Sequence, residues 1–138
     1  MRKTILIAIL LVSATTGVFA QKLKSYSSGN ILYYKEDNKI KNYSTGSTMY
    51  FIDDNKFKSY STGNTLYYRD GQNIKDYSTG NILYIIDGDN IKSYSTGNTL
   101  YVRDGNKIKS YSNGNIVYYT EDGSFPLWVI VCIIDAGK

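Results

Sequence analysis

The chain has no histidine, a single cysteine and no apolar run long enough to cross a bilayer. Without histidine there is no side chain that ordinarily titrates near neutrality, so His-based acid–base catalysis, His-containing triads and His metal ligands are excluded. One cysteine, Cys132, cannot close an internal disulfide or build a thiolate zinc site. Set in an apolar stretch, it reads as a small buried hydrophobe, with an intermolecular link as the alternative. Net charge is scarce too. Arg2 and Lys3, an apolar run from Ile5 to Val12 and Val18-Phe19-Ala20 have the layout of a secretory signal, so export to the periplasm or cell exterior after cleavage near Ala20 is expected. Without residues 1–20, fourteen basic residues face twelve acidic ones. That balance gives no reason to propose nucleic acid as a partner.

What is present is a repeat. Glycine recurs at Gly29, Gly46, Gly63, Gly80, Gly97 and Gly114, and tyrosine keeps the same 17-residue step from Tyr26 to Tyr111 and from Tyr33 to Tyr118. Six copies without an insertion mean a fold of six equivalent parts. Each unit holds two turn signals, Ser-Thr-Gly-Asn (Ser95 to Asn98) and Asp-Gly-Asn (Asp104 to Asn106), separated by short runs rich in Tyr, Ile, Leu, Thr and Val. Glycine and Asp-Gly turns between β-formers signal hairpins. The expectation is twelve short antiparallel strands: Leu23 to Ser27, Ile31 to Glu36, Ile40 to Ser44, Thr48 to Asp53, and so on to Ile116 to Glu121.

Alternation assigns the faces. In the second strand of each unit, Leu32, Met49, Leu66, Leu83, Leu100 and Val117 share a face with Tyr34, Phe51, Tyr68, Ile85, Val102 and Tyr119, and this apolar set is expected inside. The opposite face carries Tyr33, Tyr50, Tyr67, Tyr84, Tyr101 and Tyr118, then the variable set Lys35, Ile52, Arg69, Ile86, Arg103 and Thr120, which reads as solvent-facing. In the first strand, Leu23, Ile40, Phe57, Ile74, Ile91 and Ile108 are expected to point inward.

An open twelve-stranded sheet would leave two unpaired edges, so the expected fold is mainly β, a closed 12-stranded antiparallel barrel over residues 21–123. At ~4.8 Å per strand and a tilt near ~40°, it would measure roughly 23 Å across and leave a hole about 10 Å wide, close to the bare width of an α-helix. Residues 124–138 supply the plug: Leu127, Trp128, Ile130, Val131 and Ile134 lie in a run apolar on every side, with Ser124 as N-cap, Pro126 in the first turn and Gly137 as the stop. A last β-strand is the alternative for this run. A β-solenoid is disfavoured by the two hairpin-type turns per unit, and an outer-membrane barrel by the short strands.

Hairpin repeats with Ser-x-Gly-Asn and Asp-Gly turns, followed by the apolar tail Phe125-Pro126-Leu127-Trp128-Val129-Ile130, resemble the β-flower family of radially symmetric bacterial barrels. These are similar in plan to the Tubby C-terminal domain, a 12-stranded barrel threaded by an apolar helix. The resemblance covers residue 22 to about 135 and implies a barrel fold and contact with lipid. No Tubby headgroup-binding motif has a counterpart here.

No catalytic residue, cofactor or metal ligand emerges, and the chain reads as a non-enzyme. The acidic residues sit in near-equivalent turns, whereas a glycosidase needs two carboxyls in different environments within one cleft. Asp87-Gly88-Asp89-Asn90 has oxygen donors suited to calcium, but Asp, Gly and Asn are also what hairpin turns require. Two binding surfaces remain. A ring of Lys24, Lys41, Lys58, Lys75, Lys92 and Lys109 could meet a lipid or membrane surface, or simply pair with the acidic column from Glu36 to Glu121. An outward belt of Tyr33, Tyr50, Tyr67, Tyr84, Tyr101 and Tyr118 could stack on carbohydrate or bind protein, or serve only sheet packing. The readings are an exported lipid-contacting protein, a carbohydrate- or protein-binding module, and a structural scaffold.

Overall fold

The computed structural model describes residues 21–121 and 125–138. The expected signal over 1–20, the Asp122-Gly123 turn and the N-cap role of Ser124 lie outside the described residues. Twelve strands follow one another: β1 (Gln21–Ser25), β2 (Ile31–Glu36), β3 (Lys39–Asn42), β4 (Thr48–Asp53), β5 (Lys56–Ser59), β6 (Thr65–Asp70), β7 (Asn73–Asp76), β8 (Ile82–Asp87), β9 (Asn90–Ser93), β10 (Thr99–Asp104), β11 (Lys107–Ser110) and β12 (Ile116–Glu121). Each pairs antiparallel with its neighbours, and β1 pairs with β12, so the sheet closes into a barrel with no free edge. The helix α1 (Leu127–Ala136) follows.

The turns explain why the second strands end where the sequence implied and the first strands stop two residues early. Between β1 and β2, Ser25 N donates to Asn30 O at 3.0 Å and Gly29 N donates to Ser25 O at 2.9 Å, enclosing a four-residue loop that already includes Tyr26. The glycine takes φ of 73°, a left-handed conformation that a side chain would strain. The Ser/Thr before it is there for a bond: Thr45, Thr62, Thr79 and Thr96 each accept the N–H two residues on at 3.2 Å. At the other mouth the loops have two residues, as between Glu36 and Lys39, which face each other across the hairpin. Each first strand also carries a bulge against the following second strand, as at Ile40/Lys41.

The first-strand column points inward as expected: Ile40, Phe57, Ile74, Ile91 and Ile108 are fully buried and Leu23 nearly so. In the second strands the Tyr33 and Tyr34 columns are the reverse of the expectation, whereas Leu66, Leu83 and Leu100, also expected inside, do pack partly against the core. Lys35 sits directly opposite Ile40 and Tyr34 opposite Lys41, so the Tyr33 and Lys35 columns share the lumen with isoleucine, while Tyr34, Phe51, Tyr68 and Tyr119 lie outside beside lysine. A two-residue loop compels this, because facing residues of antiparallel strands point the same way.

The variable column accordingly rings the Asp-Gly mouth from within. Thr120 is fully buried and Ile52 and Ile86 pack on the core. The cations bend back toward water: Lys35 Nζ donates to Asp37 O at 2.7 Å, and Arg69 Nε to Gly71 O at 3.0 Å. Arg103 does not, and its Nε and Nη2 are buried without a partner among the described residues. Burial pushes its guanidinium pKa below the ordinary arginine value. Since Ile52 and Ile86 fill the equivalent place, Arg103→Ile is expected to stabilise the fold by about 1–3 kcal/mol in denaturant titration.

α1 lies in the lumen with Leu127 to Ile133 all buried. It starts at the mouth where β12 ends, and its last residues reach Tyr84, Thr99 and Ser110 at the Ser-Thr-Gly-Asn mouth. Pro126 is the N-cap rather than a residue of the first turn: its φ of −63° and ψ of 136° are extended. A cap position suits proline, whose missing N–H leaves no donor to satisfy there. Gly137 ends the helix without a left-handed turn, donating its N–H to Ile133 O at 3.1 Å. Burial contributes on the order of 1.5–3 kcal/mol for each fully enclosed aliphatic side chain, which holds a ten-residue helix too short to persist alone.

Candidate functional site

The tyrosine column expected outside is a ring around α1. Tyr67 and Tyr84 are 9% and 8% exposed, and Tyr33, Tyr50, Tyr101 and Tyr118 pack against the same core. Their phenols fill the annulus between wall and helix, which aliphatic chains would leave too empty. Tyr67 and Tyr84 donate to the two oxygens of Asp135, both at 2.5 Å, and Lys138 Nζ donates to Tyr84 Oη at 3.1 Å. Desolvation opposes ionisation of Asp135, but the bonds from Tyr67 and Tyr84 and the nearby Lys138 together outweigh it, leaving the carboxyl below its ordinary value. A depressed carboxyl stabilises the fold above the unfolded-state pKa and ceases to do so as pH falls through the folded-state one. Asp135→Asn should therefore be less stable than the parent at pH 7, with the gap narrowing below about pH 4. Equal gaps at pH 7 and pH 3 in thermal melts would contradict the assignment.

Of the expected plug residues, Leu127, Trp128, Ile130 and Val131 are buried and Ile134 packs against the core from its edge. Cys132 is enclosed with them, and burial pushes its thiol well above the ordinary value, which keeps it in the unreactive form.

The lysine ring lies outside and is matched by carboxylates. Lys41 meets Glu36 at 3.2 Å, Lys58 meets Asp53 at 2.9 Å, Lys75 meets Asp70 at 2.9 Å, Lys92 meets Asp87 at 3.1 Å and Lys109 meets Asp104 at 2.9 Å. Lys24 meets Glu121 at 2.5 Å across the closing seam. The side-chain bond to lysine is the main reason that the Asp53, Asp104 and Glu121 carboxyls sit below their ordinary values. The Asp87 carboxylate of the candidate calcium turn is engaged by Lys92.

The exposed aromatic surface belongs to the column from Tyr26 to Tyr111, which the sequence places on the lysine face of the first strand, opposite the Ile column, but which was not among the expected binding residues. Tyr26, Tyr43, Tyr60, Tyr77, Tyr94 and Tyr111 stand on the four-residue loops, 49% to 63% exposed, and circle the outer rim of the Ser-Thr-Gly-Asn mouth. Between successive loops run grooves that reach down to the lumen tyrosines, one of about 500 Å³ lined by Asn30, Leu32, Tyr33, Asn42, Tyr43 and Ser44. A second, of about 510 Å³, is lined by Ser27, Ser28, Asn113, Asn115, Val117 and the lumen tyrosine Tyr118 across the seam, with the rim tyrosines outside it. Each offers an apolar floor with amide and hydroxyl groups at its edge. The signal was present in the sequence: a tyrosine directly before Ser-Thr-Gly belongs to the loop, and loop residues point away from the core.

Fold and surface define a closed repeat barrel plugged by its own C-terminal helix and ringed by solvent-facing tyrosine. No family model, curated protein or solved structure matches the chain.

Proposed function

We propose that the protein is an exported, non-enzymatic binding protein whose outer rim takes carbohydrate, the repeats acting as several weak, similar contacts. One observation carries this reading: six half-exposed tyrosines are repeated around one rim beside Asn and Ser. A tyrosine ring stacks on the apolar face of a sugar, and neighbouring amides and hydroxyls bond its hydroxyl groups. Several such contacts on one rigid body raise avidity well beyond that of each alone. The lipid reading rested on the likeness to β-flower barrels, the lysine ring and the apolar tail; the ring is matched by six carboxylates and the tail is buried in the lumen. Electrophoresis of the chain from Gln21 through gels containing soluble polysaccharides should show retardation. Tyr43→Ala/Tyr60→Ala/Tyr77→Ala should remove most of it, at least tenfold in apparent affinity, with a cooperative melt retained although its midpoint falls with the loss of three edge-to-face contacts. Free migration in every polysaccharide together with flotation on anionic liposomes would reject the proposal in favour of lipid.

A further inference from the structure

The six repeats differ on the outside in a coordinated way. Four carry an aromatic residue on the outer face of the second strand, and each of these faces a lysine on the strand before it: Tyr34 faces Lys22, Phe51 faces Lys39, Tyr68 faces Lys56 and Tyr119 faces Lys107. The other two carry an aliphatic residue facing asparagine: Ile85 faces Asn73 and Val102 faces Asn90. Aromatic goes with lysine and aliphatic with asparagine in every repeat, at positions adjacent on the surface and distant in sequence. Because β12 joins β1, the four aromatic repeats are contiguous around the wall.

Within that sector each ring meets a rim tyrosine edge to face, with centroids 6.2 Å apart for Tyr26 and Tyr119, 6.0 Å for Tyr34 and Tyr43, 6.2 Å for Phe51 and Tyr60, and 5.8 Å for Tyr68 and Tyr77. The ring lysine of the following strand lies over each ring at 5.2 to 5.8 Å. That lysine is neutralised by its carboxylate. The lysine on the other side has no such close contact. Lys39, Lys56 and Lys107 stand across the hairpin loop from Glu36, Asp53 and Asp104 but make no ion pair within 4 Å among the described residues. Lys22 only shares Glu121 at 3.5 Å. The charge follows the same division. Residues 22–72 and 107–123 hold ten basic against seven acidic residues, and residues 73–106 hold three against four.

We infer that this four-repeat sector is a track for a linear acidic polysaccharide, a uronate- or sulfate-bearing chain lying around the barrel wall. The inference rests on the carbohydrate reading above and narrows it. The exposed rim tyrosines of the aromatic pairs supply stacking faces, and the lysines without a close carboxylate contact supply charge at the spacing of the hairpins. Two strands span ~10 Å, comparable to one disaccharide of an extended chain, so each hairpin meets the same part of a repeating unit. The Asn/aliphatic sector lacks both the ring and the cation and lies outside the track.

The test measures retardation of the chain from Gln21 in gels containing polygalacturonate, a neutral β-glucan of matched length, or no polymer. Parallel binding assays use an oligo-dT strand and phosphatidylglycerol vesicles. At least tenfold stronger binding to polygalacturonate than to β-glucan is expected, falling with salt. Lys39→Asn/Lys56→Asn/Lys107→Asn should abolish that advantage while leaving β-glucan retardation unchanged. Asparagine already occupies this position at Asn73 and Asn90, so the fold accepts it. Extending the track with Asn73→Lys/Ile85→Tyr and Asn90→Lys/Val102→Tyr should strengthen polygalacturonate binding at least threefold. Equal retardation by the two polysaccharides, or an unaltered triple variant, overturns the acidic track while leaving carbohydrate binding standing. Binding to oligo-dT or to the vesicles as tight as to polygalacturonate also overturns it, since the surface would then be an unselective polyanion binder. Failure with both polysaccharides removes the carbohydrate reading itself.

Discussion

Ile130→Asp is expected to expel α1 from the barrel or to unfold the chain altogether. Ile130 is 0% exposed, midway along a helix enclosed by aliphatic and tyrosine side chains. A carboxylate there would be enclosed by apolar side chains and tyrosine, and burying a charge costs several kcal/mol even after relaxation unless the buried Arg103 guanidinium at the Asp-Gly mouth moves to meet it. Small domains have only about 5–15 kcal/mol in hand, so the loss is comparable with the whole stability. Trp128 lies on the same helix and reports the outcome. Its emission in the parent should be blue-shifted and poorly quenched by acrylamide, and in the variant red-shifted and fully quenched. Cys132 should turn from inert to reactive toward a thiol reagent in the same variant. The conservative Ile130→Val, expected to cost about 1 kcal/mol, separates loss of volume from introduction of charge. A variant with parental tryptophan emission would mean that the helix does not depend on an apolar lumen.

Phe57→Ala should be the most damaging truncation in the wall, at about 3–5 kcal/mol. Phe57 is fully buried, with its ring centroid 4.7 Å from that of Tyr50 and 5.9 Å from that of Tyr67. Removing it leaves a void between two lumen tyrosines, one of which also holds Asp135. Because the equivalent places are filled by Leu23, Ile40, Ile74, Ile91 and Ile108, Phe57→Leu should cost much less, about 1 kcal/mol, with the neighbouring ring taking up the space. Chemical denaturation with both variants measures the difference. Similar losses for alanine and leucine would show that the aromatic ring itself, rather than filled volume, is what this position needs.

The repeat made the architecture legible. Strict 17-residue spacing implied equal hairpins, equal hairpins implied closure, and the width of the closed ring called for something helix-sized inside, which the apolar tail supplies. The faces were harder because tyrosine satisfies either environment. Tyr33 and Tyr34 are adjacent, so one must point in, and their chemistry does not decide which. The apolar company of Leu32 favoured the wrong one, since on the outer wall Tyr34 and its like find their contacts with a rim tyrosine and a lysine ammonium instead of the core. Register held the answer. If Glu36 and Lys39 flank a two-residue loop, Lys35 faces Ile40 and Tyr34 faces Lys41, so an inward Ile40 excludes an inward Tyr34. Asp135 escaped notice although it is a lone acid in an otherwise apolar helix, a placement that calls for buried donors. The pairing of aromatic with lysine was also readable, but only once it was known which residues of neighbouring strands face one another.

The helix in the lumen also limits how such a chain can change. Tandem copies of a short coding unit gain and lose members by slippage, so variants with five or seven hairpins are the changes that replication would offer most readily. Most solenoids absorb such events by growing longer. A closed ring cannot: one more hairpin widens the circumference by two strands, ~10 Å, and loosens every wall contact to α1, while one fewer leaves no room for it. The helix thus serves as a gauge against which the copy number is measured, and it holds six repeats in place at the level of the genome.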